Sequence, residues 1–179
     1  MKIHTPKQLT KAGEGAYQAG EYQEAAQHFE DAAKGYAAQG ENLVAAEMSN
    51  NQSVALLQAG DAQAALDAAV GTDEIFSAAG DTRRQAMAIG NTAAALDALG
   101  RLEEAEEAYH RSEALFAEIG EDKLRANVMQ SLSQLQLRSG RQLEALASMQ
   151  SGIEEIKRPS LRQRVLKRLL KTPFKLLDR

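Results

Sequence analysis

Seven glycines stand twenty residues apart in this chain, at Gly20, Gly40, Gly60, Gly80, Gly100, Gly120 and Gly140. Only 13 glycines occur among 179 residues, so six equal intervals in succession are not an effect of composition. Glycine costs a helix interior about 1 kcal/mol relative to alanine, and a glycine that recurs on a ruler serves its backbone freedom. The stretches between are rich in Ala, Leu, Glu and Gln, all strong helix formers. Each glycine therefore reads as the left-handed cap that ends one helix, with the next helix starting one or two residues later.

Capping signals place the helices. Thr5 suits an N-cap, Pro6 the first helical position, and Gln8 completes a capping box, so the first helix runs to about Ala19. The glycine spacing then predicts helices over about 22–39, 42–59, 62–79, 82–99, 102–119, 122–139 and 142–157. Asp61 and Asp81 each follow a glycine and can cap the helix after it.

Aligned at a period of forty, the sequence repeats residue types as well as glycines. Ala25, Ala65, Ala105 and Ala145 form one small column. Gly13, Ser53, Ala93 and Ser133 form a second, and Ala32, Thr72, Ser112 and Gly152 a third. Tyr36, Phe76, Phe116 and Ile156 form a large apolar column. Small columns mark close approach of helix axes, and the large column fills the space between units. The unit is a helix pair, and four pairs span about 5–40, 41–80, 81–120 and 121–157. A single long coiled coil is excluded, because a glycine every twenty residues interrupts its heptad seam.

These residues resemble the tetratricopeptide repeat family. In the first unit Gly13 falls at the family's small glycine, Gly20-Glu21-Tyr22-Gln23-Glu24-Ala25 spans its inter-helix turn, and Phe29 and Ala32 take its aromatic and second small positions. The third unit repeats this with Gly100-Arg101-Leu102-Glu103-Glu104-Ala105, Tyr109 and Ser112. The chain departs from the pattern in lacking the first tryptophan, in placing Ala37 where a proline is usual, and in its longer repeat. Repeats of about forty resemble the kinesin-light-chain-like branch. The resemblance implies an all-α, right-handed α-solenoid of four helix–turn–helix units over residues 1–157, with the first helix of each pair lining a concave groove. Helices of about 17 residues set a groove roughly 26 Å across.

No residue pattern points to catalysis. His4, His28 and His110 are dispersed, and no metalloprotease, P-loop, nucleophile-elbow or dinucleotide motif occurs. Cysteine is absent, which excludes disulfides and thiolate metal sites. The run Glu103-Glu104-Ala105-Glu106-Glu107 sits at a helix start, where acidic side chains favour the macrodipole. The chain reads as a non-enzymatic protein with no cofactor and no metal. MKIHTPKQLTKAGEGAY lacks the apolar run of a signal peptide, and no segment reaches the ~20 apolar residues of a membrane span, so a cytoplasmic location is expected.

By the resemblance and by helical spacing, the groove positions are Lys7, Thr10, Lys11, Glu14 and Gln18 in the first unit. The second contributes Glu47, Asn50, Asn51, Val54 and Gln58, and the third Met87, Gly90, Asn91, Ala94 and Asp97. The fourth contributes Asn127, Gln130, Ser131, Gln134 and Arg138. Amide side chains both donate and accept, so a row of them can pair with the backbone of an extended peptide. The same amides also keep an exposed helix face soluble, and their repeated use within helices, where asparagine is a mediocre former, favours the binding role. Some tetratricopeptide domains grip a C-terminal carboxylate through a Lys/Asn/Asn/Lys/Arg clamp. Here Asn51 matches one asparagine, while Thr10, Glu14, Met87 and Asn91 replace the other four residues. A glutamate in place of an amide and a lost arginine predict no such clamp.

Residues 1–156 carry 12 Lys and Arg against 24 Asp and Glu, whereas residues 157–179 carry nine basic residues against Asp178. Pro159-Ser160 stands where an eighth glycine would fall, and Ser160 to Gln163 reads as a capping box. The segment 158–179 predicts an amphipathic helix with Leu161, Val165, Leu166, Leu169 and Leu170 on one side and Arg164, Lys167, Arg168 and Lys171 on the other. A solenoid needs a terminal cap, and this apolar face can supply it. A basic amphipathic helix can also lie on an anionic membrane or bind an acidic partner, while the acidic body disfavours nucleic acid. Two functions follow as expectations. One is an adaptor holding a peptide or helical segment of a partner protein in the groove; the other is a self-associating, homo-oligomeric scaffold docked through its tail.

Overall fold

A computed structural model describes residues 4–154 together with Arg164 and Val165. Among the described residues the chain is all-α, with nine helices: α1 (Pro6–Ala19), α2 (Tyr22–Ala38), α3 (Asn42–Gln58), α4 (Ala62–Ala69), α5 (Thr72–Ala78), α6 (Thr82–Ala98), α7 (Leu102–Glu118), α8 (Asp122–Arg138) and α9 (Gln142–Glu154). The seven ruler glycines all have positive φ, between 69° and 85°. At each, two backbone bonds close the preceding helix. At Gly20, for example, the glycine N–H donates to the Tyr17 carbonyl at 3.1 Å and the Glu21 N–H to the Ala16 carbonyl at 2.9 Å. This is the Schellman arrangement, which satisfies carbonyls that a helix end otherwise leaves bare.

The N-termini follow their side chains. Thr5 and Gln8 form the reciprocal capping box ahead of Pro6. Asp61 accepts from the Ala64 N–H at 3.1 Å and Asp81 from the Arg84 N–H at 2.9 Å.

One expected helix is divided. The stretch 62–79 breaks at Val70 (φ −55°, ψ 129°) and Gly71 (φ 79°), so that α4 and α5 together occupy the place of one second helix. An extended Val70 followed by a left-handed Gly71 cannot continue a helix. The Thr72 hydroxyl donates to the Ala69 carbonyl at 2.6 Å, tying the two pieces together at the break. Thr72 and Phe76 nevertheless stay buried, so the interruption leaves the repeating columns in place.

The chain divides into one compact unit ending at Ala108 and a second beginning at Tyr109. In the first unit α2 packs on both α1 and α3, while α3 and α6 each pack on α4, α5 and one another. Its contact positions are the small columns: Ala25, Ala32, Ala65, Ala93 and Ala105 are fully buried, as is Ser53 within 1%. A Cβ built on Gly13 would lie 2.9 Å from the Phe29 ring, so only glycine lets α2 close this tightly on α1. Phe76 fills the space among Ala46, Ala88 and Leu43.

In the second unit α8 packs on α9. Ser133 donates to the Ala145 carbonyl at 2.8 Å, and Ser148 to the Gln136 side chain at 2.8 Å. Buried Arg125 pairs through Nε with Glu113 and donates through Nη2 to the Ser151 hydroxyl at 3.3 Å. Among the described residues no buried side-chain nitrogen or oxygen lacks a partner, as stable interiors require. Of the expected C-terminal helix, Arg164 and Val165 are helical and exposed; Ile156, Lys167, Arg168, Lys171 and the rest of that segment lie outside the described residues.

Candidate peptide-binding site

The first helices of the first unit, α1, α3 and α6, carry the positions assigned to a groove, and they lie side by side because the forty-residue period repeats their register. Three side-chain contacts cross between them, each separated by about one repeat. The Thr10 hydroxyl lies 3.2 Å from the Met48 sulfur. Arg84 donates through Nη1 to Glu47 at 2.9 Å. Asn91 donates its amide to Asn50 Oδ1 at 3.2 Å.

Those contacts divide the predicted residues by role. Asn50 is buried, with 7% of its surface exposed, and its carbonyl oxygen is engaged by Asn91. Glu47 is bound by Arg84, whose guanidinium also reaches Asp81 at 2.7 Å and lies 5.3 Å from the centroid of the Phe76 ring. The Arg84 backbone N–H, followed by its guanidinium, holds the Asp81 carboxyl below the usual carboxylate range. The Asp81 hydrogen bond, with Glu47 contributing, raises the Arg84 pKa further. Glu47, Asp81 and Arg84 thus fasten α3 to α6.

Other predicted positions face solvent. Lys11 and Glu14 are exposed on α1, and Asn51 is half-buried on α3. In the second unit Asn127, Gln130 and Gln134 are exposed along α8. Their spacing of three and four residues puts them on one face of that helix.

Between α1 and α3 the surface opens into a cavity of about 320 Å³, lined by Glu14, Tyr17, Gln18, Phe29, Asn51 and Val54. Four of these six were assigned to the groove from spacing. Tyr17 and Phe29 were not. Tyr17 follows Glu14 by three residues and so shares its face of α1; that spacing is the signal that could have found it. Its ring meets Tyr22 edge-on at 5.3 Å. Phe29 reaches the cavity from α2, against the bare backbone of Gly13. The walls are aromatic and aliphatic, and the rim carries two amides and one carboxylate.

A second cavity, of about 670 Å³, lies on the other side of α3, among α2, α4 and α5. Ala33, Ala37, Ala45, Ala46, Ala68 and Ala78 contribute much of its lining, beside Val70 and Ile75. Lys34, Asn42, Ser49, Asp67 and Thr72 supply its polar lining. Among the described residues no group of three or more His, Asp or Glu side chains could hold a metal ion, and no helix is long and apolar enough to cross a membrane.

No protein-family model matches the sequence, and neither does any curated protein. Among solved structures, the segment of MamA from position 41 to its end, from Desulfovibrio magneticus RS-1, is similar with a TM-score of 0.62 and 21% identity. The match covers 84% of this chain and 75% of that one. At this identity the likeness is one of fold. The chain is a helical-repeat solenoid of the tetratricopeptide-like type.

Proposed function

We propose that this protein is a non-enzymatic interaction module that holds a segment of a partner protein along the first-helix face of its repeats. The observation that carries this reading is the cavity between α1 and α3, where Glu14, Gln18, Asn51 and Val54 converge on an aromatic wall. Asn51 presents an amide to the opening, and an amide can pair with either polar group of an extended backbone. Apolar walls with a few oriented polar groups are the usual composition of a binding pocket. The forty-residue repeat agrees with the long-repeat branch of the family, and a concave peptide groove is the family's common mode. The four-unit division at about 40, 80, 120 and 157 belongs to the same reading.

The test is a titration with peptides selected on the protein from a random display library. Asn51→Ala should weaken their binding about tenfold while leaving the unfolding free energy within about 1 kcal/mol of wild type, the range expected when one hydrogen bond is removed. Unchanged affinity removes the first-helix face from the binding site.

A further inference from the structure

We infer that the cavity between α1 and α3 selects one lysine or arginine side chain of the partner segment. This deepens the reading above and rests on it. Three observations converge. The cavity is about 320 Å³, which gives room for a long side chain. Its walls are Tyr17, Phe29 and Val54, apolar surface against which the methylene stem of a long cationic side chain can lie. Its rim holds Glu14, and among the described residues no cation pairs with that carboxylate.

Two carboxylates, one on α3 and one at the start of α6, are already engaged. Glu47 is bound by Arg84, and Asp81 by the same guanidinium. Lys11, one turn before Glu14 on α1, forms no ion pair among the described residues and leaves Glu14 available. A partner's ammonium or guanidinium at the mouth would meet Glu14 in a charge-assisted hydrogen bond and pass close to the Tyr17 ring, a favourable cation–π arrangement. A partner carboxylate or phosphate at the same mouth would face Glu14 directly and be repelled. The excess of acidic over basic residues across residues 1–156 favours approach of a basic segment.

The probe is a display library of random nonapeptides, selected in parallel on the full chain, on Glu14→Gln and on Asn51→Ala. Selection on wild type should enrich Lys or Arg at one fixed position, and that enrichment should vanish on Glu14→Gln. A selected peptide is then synthesised with its basic residue and with a neutral counterpart, citrulline for arginine or norleucine for lysine. Wild type should prefer the charged peptide roughly tenfold, as a charge-assisted bond implies, and Glu14→Gln should bind both alike. Glu14 is exposed, so its variant should unfold at the wild-type midpoint. Peptides that depend on Asn51 but carry no basic position, or a charge preference that survives Glu14→Gln, overturn the cation pocket while the groove stands. Peptides that bind Asn51→Ala as well as wild type, or failure to select any, overturn the groove reading and the pocket with it.

Discussion

Asn91 donates its side-chain amide to Oδ1 of Asn50 across 3.2 Å, joining α6 to α3 with a hydrogen bond between side chains 41 residues apart. Asn50 is buried and Asn91 half-buried. The two asparagines therefore differ from Asn51, which lines the cavity. Asn91→Ala should destabilise the protein by about 1–3 kcal/mol, because it leaves a buried carbonyl oxygen without its donor. Asn51→Ala should cost less than about 1 kcal/mol and act on binding instead. Urea unfolding of the two variants checks the contrast, and equal losses would show that Asn50 does not depend on Asn91.

The Arg125–Glu113 pair is the counterpart in the second unit, with 11% and 18% of the side-chain surfaces exposed. Glu113→Ala removes one partner of a sheltered guanidinium and should cost about 1–3 kcal/mol. Replacing both with hydrophobic residues of similar volume should recover much of that loss. A double-mutant cycle followed by chemical denaturation measures both outcomes.

Asp81 predicts a pH dependence. Its carboxylate accepts from the Arg84 N–H and guanidinium, which lowers its pKa in the folded protein. The stabilisation is fully present above the unfolded value of about 3.9 and is lost as pH falls through the lower folded value. Asp81→Ala should cost about 1 kcal/mol at neutral pH, the worth of an N-cap, and the difference from wild type should shrink towards zero in that acidic window. Unfolding curves of both proteins between neutral and strongly acidic pH read this directly.

Two glycines off the ruler should respond in opposite directions. Gly71 has φ 79° at the break between α4 and α5, so Gly71→Ala forces a side chain into the left-handed region at about 1 kcal/mol. Gly15 lies inside α1 with nothing within 4 Å of an added Cβ. Gly15→Ala should stabilise by about 0.5–1 kcal/mol through helix propensity. Thermal unfolding distinguishes a fall from a rise.

The fold was legible because its determinants are local and periodic. A glycine cap, an Asp N-cap and a column of alanines each act within one turn or one repeat, and the sequence states them openly. The break at Val70-Gly71 was hidden because Thr72 and Phe76 keep their columns on its far side, so the alignment shows no slip. The site was legible in part. Spacing finds which side chains share the α1 and α3 faces, but it does not tell that Glu47 and Asn50 are taken up by Arg84 and Asn91. Those pairings depend on reach across neighbouring first helices, at separations of 37 and 41 residues, close to but not on the period.

The most direct test of the central claim is chemical-shift mapping on the isotope-labelled full chain during titration with a display-selected peptide. If the partner segment lies on the first-helix face, the largest changes fall on Glu14, Tyr17, Gln18, Asn51 and Val54. Changes centred instead on Ala33, Ala45, Val70 and Ile75, around the larger cavity beyond α3, would contradict it.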